Sequence, residues 1–188
     1  MKKLFIILII MTNQILADTK LNALQTAYVA GGCYWGLEEL IRKLPGVINT
    51  NVGFSGGHVS NVTYKDVSRG DTGHAESIKI EFNSKDISFE SLLIHFFKMH
   101  NPSTPNQQGN DRGTQYRSAI FYTNDDQKNT AMDVIDLVNQ SNLWEQKVVT
   151  IVEEFIEFYP AEESHQKYLL KNPDGYSCHF VRDFDFTK

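Results

Sequence analysis

A cysteine between a strand-like and a helix-like stretch is the first candidate for chemistry in this sequence. Cys33 stands in the run VAGGCYWG, residues 29–36; residues 27–30 are apolar, and Leu37, Leu40, Ile41 and Leu44 follow at helical spacing. At such a junction, unpaired backbone N–H groups and the positive end of the helix dipole favour a thiolate. Gly31 and Gly32 allow a sharp turn that leaves the sulfur uncovered. Tyr34 and Trp35 supply aromatic walls for a small apolar or sulfur-bearing group. A reactive nucleophile is the functional reading. A cysteine buried in a strand–turn–helix packing unit is the alternative.

Glu76 is the second candidate. Residues 75–82 alternate, with Ile78, Ile80 and Phe82 on one face and Ser77, Lys79 and Glu81 on the other. Period two puts Glu76 on the apolar face, where desolvation raises a carboxyl's pKa and keeps it a proton donor. Near the start of its strand, Glu76 is equally placed to pair with a lysine or to reach solvent at the sheet edge. Tyr64 and Tyr116 offer hydroxyl donors, with satisfied core positions as the alternative for each. Asp111 beside Arg112 fits a turn carrying a solvated ion pair. His95 and His100 are five residues apart and share no helix face, while Cys178 and His179 are neighbours that would chelate awkwardly. No metal site is expected.

The elements that must position these groups follow from pattern and punctuation. Residues 47–54 read as a strand entered through Pro45-Gly46, and residues 63–69 as a short helix closed by Gly70. Ser88 caps a helix whose stripe is Phe89, Leu92, Leu93, Phe96 and Phe97. Residues 101–115, with two prolines and two glycines, read as a long irregular loop, a class usually functional or disordered. Strands are expected over 116–122 and 148–153. A helix is expected over 125–140 with Met132, Ile135 and Leu137 among its apolar positions, and a short one over 165–171, stopped by Asn172-Pro173. Alternating β and α with amphipathic strands indicate a two-layer α/β sandwich: a mixed, largely antiparallel sheet with helices packed against it.

Composition is ordinary for a globular chain: 188 residues, 41% hydrophobic and 22% charged. Residues 1–17 differ. Lys2 and Lys3 precede an apolar run from Leu4 to Met11 and a small residue, Ala17, which reads as a signal peptide. The run is too short to span a bilayer, so the mature chain is not expected to insert stably in a membrane. Residue 15, three before the expected cut, is isoleucine, so the cleavage position is approximate. Export to an oxidising compartment such as a periplasm follows, and the domain is expected over 22–188. With a net charge of −5 and no run of lysine or arginine, nucleic acid is not an expected partner. In such a compartment Cys33 and Cys178 form either a permanent bridge or a working redox pair.

Five segments in order carry a family likeness: GGCYWGLEE, LPGV, GFSGGHVSNVTYKDVSRGDTGHAESIKIEF, HNPSTPNQQGNDRGTQYRSAIF and HQKYLLKNP. Together, from about residue 26 to 178, they resemble peptide methionine sulfoxide reductases of the A type, the enzyme class that restores oxidised methionine. The resemblance implies reduction of methionine-S-sulfoxide, free or within proteins, as repair under oxidative stress. It implies Cys33 as the attacking thiol and Glu76 as the proton donor to the sulfoxide oxygen. Tyr64 and Tyr116 would hold that oxygen, Tyr34 and Trp35 would enclose the substrate methyl, and Asp111 would lie at the pocket edge. Cys178 would resolve a sulfenic acid on Cys33, and an external thioredoxin-like dithiol would regenerate the pair, with no bound cofactor. Tyr34 replaces a phenylalanine common in the family, and the tail after Cys178 is short. Two rivals stand beside this reading: a cysteine hydrolase, which needs a histidine base and an oxyanion hole, and a binding module with the cysteines permanently bridged.

Overall fold

The structure is a computed structural model and describes residues 23–186. The leader expected over residues 1–17 lies outside the described residues. Three strands form the centre of the sheet: β1 (Leu24–Gly31), β2 (Val47–Ser55) and β3 (Ala75–Asn83). β3 lies between the other two and is antiparallel to both, with Ile78 opposite Val29 on one side and Val52 on the other. After a two-stranded ribbon, β4 (Gln107–Gln108) with β5 (Asp111–Arg112), come β6 (Ser118–Tyr122), β7 (Ile151–Glu154) and β8 (Tyr159–Pro160). The six-stranded sheet runs β7-β6-β1-β3-β2-β8 and is antiparallel except for the β6–β7 pair. This is the mixed, largely antiparallel sandwich that the alternation indicated.

Helices cover one face. α1 (Tyr34–Ile41) contributes Leu37 and Ile41; α2 (Tyr64–Val67) contributes Val67; α3 (Phe89–Met99) contributes Leu92, Leu93, Phe96 and Phe97; α4 (Asp125–Ser141) contributes Ala131, Val134, Ile135 and Val138. These meet Ala27, Val29, Val52, Phe54, Ile78, Ile80 and Phe82 from the strands in one apolar core. Ser88 accepts a hydrogen bond from the Ser91 N–H at 3.0 Å, and Asn124 caps α4 in the same way through Gln127. Caps of this kind stabilise a helix by about 1 kcal/mol each. Met132, expected in the core, is largely exposed, because the buried stripe of α4 runs through Ala131, Val134 and Val138 instead.

Among the described residues, the second face is covered near its Cys33 end. Tyr28 and Phe155 stack there with ring centroids 3.8 Å apart, over Ala30, Ala75, Ala119 and Phe121. Ser77, on the face opposite Ile78 as its period requires, is therefore fully buried, and its hydroxyl donates to the Ala75 carbonyl at 2.8 Å. Residues 101–115, expected to be irregular, contain the β4–β5 ribbon and lead into a 3-10 turn at Thr114–Tyr116. That turn delays β6 to Ser118. The helix expected over 165–171 is reduced to α5 (Tyr168–Lys171), because Lys167 is left-handed at φ +51°. Glu38, a buried carboxylate on α1, accepts the Lys167 backbone N–H at 2.9 Å and the Thr50 hydroxyl at 2.8 Å. It ties the chain around residue 165 to the nucleophile's helix.

Replacing Glu38 with alanine orphans that N–H and hydroxyl, and is expected to lower stability by about 2–3 kcal/mol. Denaturant unfolding checks this, and a loss below about 0.5 kcal/mol would remove Glu38 from the supports of the site.

Candidate active site

Antiparallel register brings the acid to the sulfur. Ala30 of β1 lies opposite Ser77 of β3, so the chain leaving β1 at Gly31 passes beside Glu76. Gly32 turns it with φ +97°, a conformation that glycine adopts freely, and Cys33 becomes the N-cap of α1. The first backbone N–H groups of a helix have no partner within it. Here the Tyr34 N–H donates to Glu76 Oε2 at 3.0 Å, while the Cys33 side chain makes no capping bond to the start of the helix. The donor next to Cys33 in the chain thus holds the carboxyl by the nucleophile's helix start.

Glu76 is only 4% exposed, and burial pushes its pKa up to about 8, against the Tyr34 N–H and with help from the Asp111 charge. Below that pH it is a neutral acid. Cys33 departs from the sequence expectation. Burial raises its pKa, the Glu76 charge adds to the rise, and the Trp35 N–H only partly opposes them. A helix terminus contributes about 0.3–1 kcal/mol, whereas full burial shifts a group by up to several pKa units, so desolvation wins. The resting pair is a thiol beside a carboxylic acid.

The remaining expected residues gather around this pair, with one qualification. Burial and the charges of Glu76 and Cys33 raise the pKa of both Tyr64 and Tyr116, which keeps both hydroxyls protonated beside the acid and the sulfur. Trp35 stacks on Tyr168 at 3.8 Å and presents its indole N–H to His165 Nδ1 at 3.2 Å. Tyr34 is almost fully buried, its ring packed against Phe54. Its hydroxyl is not idle, as it bonds His165 Nδ1 at 2.9 Å. Because an indole N–H can only donate, Nδ1 is an acceptor and the imidazole is neutral there. The Tyr64 ring lies 4.4 Å from the same imidazole.

Asp111 makes no turn pair with Arg112. Its Oδ2 accepts the Cys178 thiol at 3.2 Å and the Tyr176 hydroxyl at 3.1 Å. Cys178 and Cys33 are both free thiols in this structure. Cys178 is close enough to disfavour ionisation of Cys33, and burial with the Asp111 contact pushes Cys178 up to about 12. Among the described residues, no group of three or more His, Cys, Asp or Glu side chains could hold a metal ion.

Sequence reasoning missed His165, His179 and Glu38. His165 reaches Tyr34 and Trp35 across 130 residues of chain, a contact with no local signal. His179 had one, its place next to Cys178, and that pair was weighed only as a chelate.

The model of the family described as "Peptide methionine sulfoxide reductase" matches residues 25–187. A Rhodopirellula baltica protein named peptide methionine sulfoxide reductase MsrA 2 is 52% identical over 158 residues, which is 84% of this chain and 92% of that protein. Among solved structures, methionine sulfoxide reductase A of Corynebacterium diphtheriae matches at TM-score 0.76 and 34% identity, covering 82% of this chain and 78% of that one. Mxr1 of Saccharomyces cerevisiae in reduced form matches at TM-score 0.82 and 37% identity, covering 86% and 94%. A complex of Mxr1 with Trx2 is similar in fold, at TM-score 0.59 and 22% identity, covering 86% and 92%.

Proposed function

This chain belongs to the peptide methionine sulfoxide reductase family, and we propose that it reduces the S epimer of methionine sulfoxide by attack of Cys33 under acid assistance from Glu76. The enzyme is an oxidoreductase acting on sulfur, and its substrate is methionine sulfoxide. The observation that carries the mechanism is the buried Tyr34 N–H bond to Glu76 Oε2, which fixes a raised-pKa carboxyl beside the Cys33 sulfur.

A sulfoxide sulfur is electrophilic, but its oxygen leaves poorly unless protonated. Glu76 gives its proton to that oxygen as the Cys33 sulfur attacks, and the carboxylate takes up the proton that the thiol releases. The substrate sulfur is reduced to a thioether, and Cys33 is oxidised to a sulfenic acid that carries the oxygen as hydroxyl. The hydroxyls of Tyr64 and Tyr116 steady the oxygen. The face of Trp35 receives the methyl and sulfur, a contact worth about 1 kcal/mol, enough to orient the substrate but not to drive the reaction. Cys178 then attacks the sulfenic sulfur, water leaves, and a Cys33–Cys178 disulfide forms. A thioredoxin-like dithiol restores both thiols and leaves as its own disulfide. The Trx2 complex of the yeast relative supports this choice of reductant.

A permanent structural bridge would consume the nucleophile, and two free thiols beside one acid favour the redox pair. A hydrolase would need a histidine against the Cys33 sulfur, whereas the charged group that most affects the Cys33 thiol is the Glu76 carboxyl. Export to the periplasm is proposed from the Lys2-Lys3 and apolar 4–11 pattern. The intact mass of protein recovered from that compartment should lack the first 17 or so residues; full-length protein confined to the cytoplasm contradicts export.

Glu76→Gln preserves size and a hydrogen bond acceptor for Tyr34 but offers no acidic proton. It should keep its fold and lose about 100-fold or more in methionine formation; turnover at the parental rate would remove Glu76 as the acid. Cys178→Ser should release one equivalent of methionine and then stall with oxidised Cys33. Sustained cycling with a protein dithiol would take Cys178 out of the mechanism.

A further inference from the structure

The tail that carries Cys178 is seated on the glycines around Cys33. A Cβ at Gly36 would meet Ser177 Oγ at 2.5 Å and His179 Nδ1 at 2.8 Å, and one at Gly32 would meet His179 Cε1 at 3.2 Å. A Cβ at Gly109 would lie 3.3 Å from that of Cys178. His179 is the buried peg of this seat, and its Nε2 lies 2.7 Å from the Gly31 carbonyl oxygen. A carbonyl only accepts, so Nε2 carries the proton and Nδ1 is left with a bare lone pair. That lone pair lies 3.4 Å from the Cys178 sulfur, within reach of a thiol donor.

We propose that His179 is the general base of the resolving step, with Nδ1 taking the Cys178 thiol proton as that sulfur attacks Cys33. The inference rests on the reading of Cys178 as the resolving cysteine. In the step the Cys178 S–H bond breaks and its proton passes to Nδ1. The new S–S bond forms as the Cys33 S–O bond breaks. The departing hydroxyl takes the proton back from the imidazolium and leaves as water. Cys33 and Cys178 end as a disulfide, and His179 returns to its neutral form.

Two features suit His179 to this work. Cys178 is a poor spontaneous nucleophile, because burial and the Asp111 contact hold its proton in place. His179 is kept neutral by burial with a smaller contribution from Arg182, opposed by the Gly31 bond and the Asp111 charge; His100 and the Cys178 thiol also face it. The rival acceptor is Asp111, but its Oδ2 is shared with the Tyr176 hydroxyl and holds the thiol in its resting orientation.

His179→Gln separates base from peg, since its amide N–H can replace Nε2 at the Gly31 carbonyl while Nδ1 has no counterpart. The experiment is a single turnover with excess methionine sulfoxide and no dithiol, quenched in time and read both as methionine released and as sulfenic acid against disulfide. The expected variant releases its methionine equivalent and then forms disulfide at least tenfold more slowly, with that step now rising about tenfold per pH unit. Disulfide formation at the parental rate and with the parental pH profile overturns the proposal. Nitrogen NMR of the unmodified reduced protein is a second check, independent of any variant. The proposal requires a protonated Nε2 and a bare Nδ1 on His179, and the opposite tautomer refutes it. If the unmodified protein releases methionine without ever forming the Cys33–Cys178 bridge, the resolving-cysteine reading itself fails, and the role of His179 goes with it.

Discussion

A backbone N–H that no helix can use for itself holds the chemistry together. The Tyr34 amide opens α1 and points at Glu76 across 42 residues of sequence, in a place closed to water. If the carboxyl moved, that donor would be stranded, at a cost of about 1–3 kcal/mol for a buried amide. If the helix moved, a buried carboxyl would lose the one bond that lowers its pKa. The relative position of acid and nucleophile is therefore written in backbone geometry: a β1–β3 register, a glycine turn, and the start of a helix.

The glycines around Cys33 serve more than that turn. Gly32 does take the left-handed conformation that the sharp turn needs. Gly31 has a second reason, since a Cβ there would meet Phe96 and His100 of the core at about 3 Å. Gly36 has a third: its bare face is where Ser177 and His179 rest. A motif that reads locally as freedom around a sulfur is, in three dimensions, a set of flat places for other segments. The second cysteine arrives on one of them.

What the sequence made legible was what depends on neighbours in the chain. Period two assigned Glu76 to the buried face, and the apolar stripe of α3 was readable residue by residue. Helix caps at Ser88 and Asn124 are short-range chemistry as well, though only Ser88 was singled out. What escaped depends on segments that meet from afar. The expectation of a stabilised Cys33 thiolate failed because local donors are visible in a sequence while the depth of burial is not. The period put Ser77 on the right face, but not its burial, which residues near 155 bring by covering that face. His165 could not be found, since its role is to accept from Tyr34 and Trp35 at a distance that no pattern encodes. The shortened last helix has the same origin, in the Glu38 carboxylate that captures the Lys167 amide.

Acid-limited and thiolate-limited chemistry separate cleanly in the rate of the first methionine released, measured by rapid quench between pH 6 and 10. A neutral Glu76 as the essential donor predicts a rate that is level below about pH 8 and falls about tenfold per unit above it, as the carboxyl ionises in the folded protein. A rate that instead climbs through pH 8 to 9, tracking ionisation of a thiol, would contradict the account.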